Sequence, residues 1–566
     1  MKRTLCILAT LFLALPQLMV AEQPTKPVKN VIFMISDGTS LSTISLARWY
    51  QNLQADSLTR LHLDPYMSGT VLTFCSDAPI GDSAPTTSTY MNGMPSIQGM
   101  VGTYPYATSH DLVPVDSAMA YRPIVSLMEA TRLLQNRKVG VVITCEFPHA
   151  TPADATAHSY SRKRYDWIIP QMVHNHLDVV IGGGAGLISE EQVNYLKGDG
   201  YGVYLNDYAS LKTNQKERMW SLFSHRDIPY DMDGVAGKDP KLSEMVTSAL
   251  TLLNRDNPNG FFLLVEGSKV DWAAHANDPV AMATEFLAFD RAVQVALDFA
   301  KADGNTIVVL TADHGNSGLS IGRGDLRNYA GTSKEKLFGP LIKIQKSSVG
   351  LANMIKAAEE SELPRIFEEV TTFAPTEEEL VALKLLRQLE LAPDAEREAI
   401  KQQLKALSIS GEGALYTAGL ADFIASIYRN HMYLGFTTHG HTAEDVFLAS
   451  YAPTEEQRLR GVHSNMELHN YLRKSLGLGP TMLELTDKYF APHSEVFSGL
   501  KVTITGEEPK DKVLTVKKGR KTLSIKSYTN QLYLNGKLQQ LSLPVVYVDK
   551  TDQFYLPTSL RALLDK

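Results

Sequence analysis

The chain has 566 residues, 44% of them hydrophobic and 21% charged, a composition with room for a large core and more than one domain that excludes disordered and fibrous classes. Its 55 Lys and Arg against 62 Asp and Glu leave a net charge of −7, unevenly spread: +2 in residues 1–21, +5 in residues 494–566 (twelve basic against seven acidic side chains), and therefore −14 in residues 22–493. A body that acidic is a poor general binder of nucleic acid, and an anionic substrate would have to be drawn in by local cations such as metal ions.

The N-terminus runs Met1-Lys2-Arg3, then a stretch over 4–20 made mostly of Leu, Ala, Ile and Phe, then Ala21-Glu22-Gln23. A positive start, a short apolar run and a small residue before a polar one predict a signal peptide over 1–21, cleaved near Ala21. Cys6 opens the run rather than ending it, which argues against a lipid-modified cysteine. No later stretch approaches 18 apolar residues, so the mature chain is expected to lack a transmembrane helix and to be periplasmic or secreted. Cys75 and Cys145 are expected as buried thiols, with their pairing left open.

After a polar lead over 22–29, residues 30–36 (NVIFMIS) predict a strand ending on Asp37-Gly38-Thr39, with a helix to about Gln54. Asp37 fits a turn, a helix cap, or a carboxylate at a strand's end. Residues 80–93 (IGDSAPTTSTYMNG) gather small and hydroxylated side chains around Asp82-Ser83-Ala84. Small residues let backbone amides approach an anion, and a Ser there becomes a nucleophile if its pKa is lowered, although Ser, Thr and Asp are also ordinary capping residues. Residues 139–144 predict a strand. HATPADATAHSYSRK follows over 149–163, carrying His149, Thr151 and, about three helical turns on, Arg162. Another strand over 177–181 runs into three glycines, and helices are expected over 240–255 and 278–303.

Between those two helices lies FFLLVEGSKVDWAAH, residues 261–275. Its apolar run reads as a buried strand ending on Glu266. Asp271 and His275 follow at i, i+4 spacing, on one face of a helix, where a carboxylate and an imidazole can grip one divalent cation. Alone they read as a solvated helical pair. A second apolar run, NTIVVLTADH over 305–314, stops on Asp313-His314 and changes that reading. Two buried strands then end in metal-capable side chains, and open α/β sheets place ligands beyond the carboxyl ends of their strands. Repeated strand and helix predict an α/β fold with a mostly parallel central sheet covered by helices on both faces.

Residues 350–430 carry Leu at helical spacing among Glu, Lys and Arg. A capping box at Thr376–Glu379 and a start at Pro393-Asp394 predict a helical insertion with a structural role. FTTHGH over 436–441 precedes a strand over 445–451. From about Ser494, short alternating runs and an Asn535-Gly536 turn predict a small β-rich accessory domain over 494–566.

Asp37, Ser83, Thr151, Arg162, Glu266, Asp271, His275, Asp313, His314 and His441, taken together, resemble the alkaline phosphatase family. The motifs are SDG ending at Gly38, DSA around Ser83 with Gly93 beyond it, HATPA…H…SRK from His149, VEG…DWAAH from Val265, TADH ending at His314, and HTAEDVFLASYAP from His441. They cover residues 30–345 and 430–490. The resemblance implies an alkaline phosphatase-like catalytic domain over 22–493 and hydrolysis of small-molecule phosphate monoesters through a phosphoserine on Ser83. It implies two Zn2+ and one Mg2+ per chain. Asp271, His275 and His441 would hold the first zinc. Asp37, Asp313 and His314 would hold the second, with Ser83 approaching it. Asp37, Thr151 and Glu266 would hold the magnesium. Arg162 would fork onto the phosphoryl oxygens and Asp82 would orient it, while His149 and Trp272 would stand near the phosphate. Family members are commonly homodimers.

Three positions depart from the family's usual pattern. Pro85 follows Ala84, which would stiffen the segment after the nucleophile. His149 stands where many bacterial members have Asp. Trp272 stands where others carry Lys or His, and either packs or weakens the hold on product phosphate. The tail more loosely resembles the small β domain beside copper amine oxidase-like modules, through LNG…LPVVYV…YLP. It has no Cys and no His after His493, so no copper is expected. The competing functions are a phosphodiesterase or sulfatase of the same superfamily and a metal-stabilised surface-binding protein. A sulfatase needs a CxPxR-type motif, which the sequence lacks.

Overall fold

The computed structural model describes residues 26–407 and 417–565, so the expected signal peptide lies outside the described residues. Ten strands form the central sheet: β1 (Asn30–Ser36), β2 (Met67–Leu72), β3 (Lys138–Glu146), β4 (Val179–Gly183), β5 (Gly202–Leu205), β6 (Met219–Phe223), β7 (Phe261–Gly267), β8 (Thr306–Thr311), β9 (Val446–Tyr451) and β10 (Gly461–Ser464). Their order across the sheet is β10-β2-β9-β8-β1-β7-β3-β4-β6-β5. β9 runs antiparallel to both neighbours, and every other pairing is parallel.

Every residue of β1, β7 and β8 is buried, which is why their sequences read as unbroken apolar runs rather than alternating ones. Phe33 of β1 meets Tyr90 edge-on at 5.4 Å between ring centroids. Full burial of one such side chain stabilises the fold by about 1.5–3 kcal/mol. At the end of β7, a Cβ on Gly267 would lie 2.9 Å from the Phe289 ring, so the helix Pro279–Asp303 can sit against this strand only because position 267 lacks a side chain. That 25-residue helix starts on Asp278, whose Oδ1 accepts the Val280 and Ala281 amides at 3.0 Å, and it stops at Gly304 with φ +69°. It packs with the helices Leu41–Ala55 and Leu242–Asn254. The helices Ser83–Asn92 and Asn465–Ser475 pack together elsewhere on the sheet.

The insertion expected over 350–430 is helical among the described residues, with helices Ser348–Ala357, Leu363–Thr371, Glu377–Leu391, Asp394–Ala406 and Leu420–Asn430. The Thr376–Glu379 capping box is present in both directions, at 3.2 and 2.8 Å. Its apolar faces share a second buried cluster with Leu46, Ala273, Ala274 and Val280, so the insertion sits on the helices beside the site.

The tail is a five-stranded antiparallel meander, Lys501–Thr505 to Lys537–Gln540. Its last hairpin turns through Asn535 and Gly536 at φ +51° and +79°, the backbone of a two-residue type I′ turn. A three-stranded sheet pairs Val546–Val548 and Gln553–Leu556 with Ala491–Pro492. The tail's apolar residues, Leu514, Val516, Leu523, Ile525 and Tyr528 among them, are continuous with the main core. No helix among the described residues is long and apolar enough to cross a membrane.

Candidate metal centre

Three neighbouring strands deliver most of the site. Asp37 follows β1, Glu266 is the penultimate residue of β7, and Asp313-His314 follow β8. The short helix Lys269–His275 after β7 puts Asp271 and His275 on one face, as the i, i+4 spacing predicts. His441 arrives from the other side of the helical insertion. It is pinned by a two-residue antiparallel pairing in which His441 faces Asn316 and Thr442 faces Gly315. This brings its ring onto that of His314, stacked at 3.6 Å between centroids.

Two groups of possible metal ligands result, Asp271/His275/His441 and Asp37/Asp313/His314, each with one ligand atom per residue within 4.8 Å of the others. The three imidazoles are oriented alike. Nδ1 of His314 lies 3.1 Å from the Gly315 carbonyl, Nδ1 of His441 lies 2.8 Å from that of Gly81, and Nδ1 of His275 lies 2.5 Å from that of His439. Each Nδ1–H is therefore donated to a carbonyl, which leaves the Nε2 lone pair facing the carboxylates. Those Nε2 atoms lie 3.4 Å from Asp271 Oδ2 for His275, 3.8 Å from Asp271 Oδ1 for His441, and 3.4 Å from Asp313 Oδ2 for His314.

The glycine of SDG is required by the same packing. Gly38 has φ +59°, and a Cβ there would lie 2.3 Å from Asp271 Oδ1. Its amide donates to Asp313 Oδ1 at 3.0 Å.

Ser83 is the first residue of the wholly buried helix Ser83–Asn92, with Asp82 at its cap. Its Oγ lies 3.3 Å from His314 Nε2. Pro85 occupies the first turn of that helix, where a missing N–H leaves no partner wanting, so it fits without distortion. Thr86 Oγ1 donates to the Asp82 carbonyl at 2.8 Å and closes the turn.

The three helical turns suggested between Thr151 and Arg162 are not formed. The helix stops at Ala153, and the chain returns in extended form through a bridge between Ser159 and Val101. The Arg162 amide then donates to the Gly99 carbonyl at 2.6 Å. Arg162 Nη1 donates to Asp82 Oδ1 at 2.5 Å, and the Gly99 amide holds Asp82 Oδ2 at 2.9 Å. The other arm of the fork, Nη2, lies 3.1 Å from His149 Nε2. His149 meets Trp272 edge-on at 5.8 Å. Burial, then the Arg162 charge, lowers the His149 pKa to about 3, so its ring is neutral and accepts from Arg162.

Carboxylate ionisation follows the crowding. Burial, then Asp313, Asp271 and Glu266, push Asp37 well above the usual carboxylate range. Burial, then Asp313, raise Glu266 to about 7. For Asp271 burial again opposes ionisation, but the imidazoles of His275, His314 and His441 outweigh it and hold the group low.

The donor set fits cations. Both oxygens of Asp37, Asp313 Oδ2, Glu266 Oε1 and Thr151 Oγ1 are buried without a hydrogen-bond partner. Each such orphan costs about 1–3 kcal/mol, more if charged, unless something positive meets it. Carboxylates with imidazoles suit zinc, and a carboxylate–hydroxyl set suits a hard cation such as magnesium.

The structure adds residues that the motifs did not flag. Cys145 and Cys75 are free buried thiols. Cys145 Sγ lies 3.4 Å from Glu266 Oε2 and forms a third group with His149 and Glu266. Asn316 Nδ2 donates to Asp271 Oδ1 at 2.7 Å. Lys269 lies 5.1 Å from the Trp272 ring but is tied to Asp227 at 2.6 Å. The two cysteines are buried thiols as expected, and Asn316 stands two residues after TADH.

Residues 28–478 match the family model described as alkaline phosphatase. The chain is 29% identical over 462 residues to alkaline phosphatase 3 of Bacillus subtilis, covering 79% of this chain and 89% of that protein. It is 28% identical to the repressible alkaline phosphatase of Saccharomyces cerevisiae, covering 85% and 87%. The crystal structure of a cold-active alkaline phosphatase from Shewanella sp. superposes with a TM-score of 0.64 at 25% identity, covering 79% of this chain and 99% of that one.

Proposed function

Since the chain belongs to the alkaline phosphatase family, we propose that it is an exported, metal-dependent phosphomonoesterase working through a phosphoserine on Ser83. The observation that carries this reading is the set of three Nε2 lone pairs and unpartnered carboxylate oxygens around Ser83, at the carboxyl ends of adjacent parallel strands. Asp271, His275 and His441 would hold one zinc ion, and Asp37, Asp313 and His314 a second. Asp37, Thr151 and Glu266 would hold a magnesium ion. When bound, these cations lower the pKa of an oxygen nucleophile and offset charge on both the entering and the leaving oxygen.

The chain's own groups do the rest. Ser83 Oγ attacks phosphorus in line with the ester oxygen, which departs as the alcohol and leaves the phosphoryl group on Ser83. Water then attacks the same phosphorus from the vacated side, releasing inorganic phosphate and restoring the serine. Arg162 offers a planar fork to two non-bridging oxygens, and Asp82 fixes its plane. That fork and the third cation site favour a dianionic monoester over a diester. The −14 of residues 22–493 makes the cations and Arg162 the anion trap. Export rests on residues 1–21, and residues 494–566 form an accessory unit.

The reading is tested by replacing Ser83 with Ala. Phosphate release should disappear while elemental analysis still finds three metal ions per chain. Retained turnover would end the proposal. A diester or sulfate ester turned over faster than a monoester would move it to the competing activities.

A further inference from the structure

Residues 494–565 lie beyond the matched family segment, yet they touch the segment that carries Arg162. On its inner side that segment is held by the Ser159–Val101 bridge and the Arg162-to-Gly99 hydrogen bond. On its outer side it is held by the tail. Tyr160, two residues before Arg162, donates its hydroxyl to Asp549 Oδ2 at 3.1 Å, and Lys550 Nζ lies 5.5 Å from the Tyr160 ring. The Tyr160 ring meets Trp167 edge-on at 5.3 Å. Trp167, 2% exposed, is stacked on Tyr528 of the tail at 5.9 Å with 23° between ring planes. Arg164 closes the segment's far end by laying its guanidinium 3.8 Å over Trp167.

The tail is itself fixed to the body. Asn530, fully buried, accepts from Tyr195 at 3.0 Å and contacts His174 and His176 at 2.9 Å each. Arg132 donates to the Ser542 carbonyl at 2.5 Å. Tyr528 is buried by packing, and its hydroxyl donates to the Tyr547 carbonyl at 2.8 Å.

We propose that the C-terminal β unit is part of the phosphate grip: through Asp549 and Tyr528 it clamps residues 159–164 and so presets Arg162. The proposal rests on the reading of Arg162 as the phosphate ligand. Tyr160, Tyr528 and Asp549 are positioning residues. A segment held only on its inner side would have to be ordered by the incoming anion, and that ordering weakens binding of substrate and product alike. An interaction equally present in ground and transition states changes KM and not kcat.

The test uses the full-length, metal-loaded protein. KM, kcat, inhibition by inorganic phosphate and Tm are measured for Tyr160→Phe, Asp549→Ala, Tyr528→Leu, Tyr528→Phe and Arg162→Ala. Lys518→Ala, which cuts a tail ion pair to Asp565 away from the segment, is the control. Tyr160→Phe, Asp549→Ala and Tyr528→Leu should each raise KM and the phosphate inhibition constant roughly two- to tenfold, the worth of one hydrogen bond or ring contact, with kcat held within about twofold. Tyr528→Phe should restore most of the loss, Lys518→Ala should change nothing, and the effect of Asp549→Ala should vanish in an Arg162→Ala background. Unchanged phosphate inhibition in Asp549→Ala and Tyr160→Phe, with Arg162→Ala strongly weakened, would overturn the clamp alone. Unchanged phosphate inhibition in Arg162→Ala would overturn the reading of Arg162, and the clamp with it.

Discussion

His275 and His441 face each other Nε2 to Nε2 at 3.1 Å, and as neutral rings neither has a hydrogen to place between them. Both have given their Nδ1–H to a carbonyl, of His439 and Gly81 respectively. Two lone pairs so close repel unless a cation lies against both. His441→Ala is therefore expected to lose one zinc per chain by elemental analysis and to lower kcat by at least about a hundredfold, the upper range for disturbing a metal site's supporting groups. In chelator-treated protein the same substitution should leave Tm unchanged or raise it, because the repulsion has gone. A metal complement equal to that of the parent would remove His441 from the site.

Asn316 holds Asp271 Oδ1 from a fully buried position. Asn316→Ala frees that oxygen to rotate away from the two imidazoles. Zinc affinity, read by competition with a chromogenic chelator, should fall about 10- to 100-fold. Unaltered affinity would mean that the strand ends alone orient Asp271.

Trp272 meets His149 edge-on and offers the phosphate no charge. Trp272→Lys should tighten inhibition by inorganic phosphate several-fold and slow turnover where product release limits the rate. The nearby Lys269 does not already supply that charge, since it is bound to Asp227 and the Ile228 carbonyl. Identical phosphate inhibition in the variant would reduce Trp272 to a packing residue.

Glu285 gives a pH signature separate from the metal ligands. It lies buried in the helix Pro279–Asp303, and burial, then the Asp231 charge, raise its pKa from 4.5 to about 8. A carboxyl raised on folding stabilises the fold fully below its unfolded pKa and loses that contribution as pH climbs through the folded value. Stability should fall between pH 4.5 and about 8 on its account. Glu285→Gln should flatten that decline and be more stable than the parent at pH 9 by a few kcal/mol, on the order of the shift itself. Tm measured at pH 5 and pH 9 on both proteins decides it; parallel declines would show that Glu285 ionises without strain.

The centre of the sheet was legible because β1, β7 and β8 are buried on both faces and so appear as unbroken apolar runs ending in Asp37, Glu266 and Asp313. The edges were not. β5 and β10 are four residues each with exposed positions, and β2 is half-buried with Gly69 in its middle, so neither period nor composition marks them. Within the site, side chains carried by motifs were legible and their supports were not. The carbonyls of Gly81, Gly315 and His439 that fix the imidazole tautomers belong to the backbone, which leaves no trace in residue identity. The path of Arg162 depends on a bridge to Val101, some sixty positions back, and the reach of Cys145 to Glu266 depends on strand register. Local spacing contains neither.

His441 stands 166 positions after His275, with the helical insertion between them. A chain still being made already contains the serine, the arginine, all four acidic ligands and two of the three imidazoles, but the first zinc site still lacks a side. Competence therefore arrives late, with the pairing of His441 and Thr442 against Asn316 and Gly315, and a stalled or clipped fragment ending in the insertion would remain chemically silent.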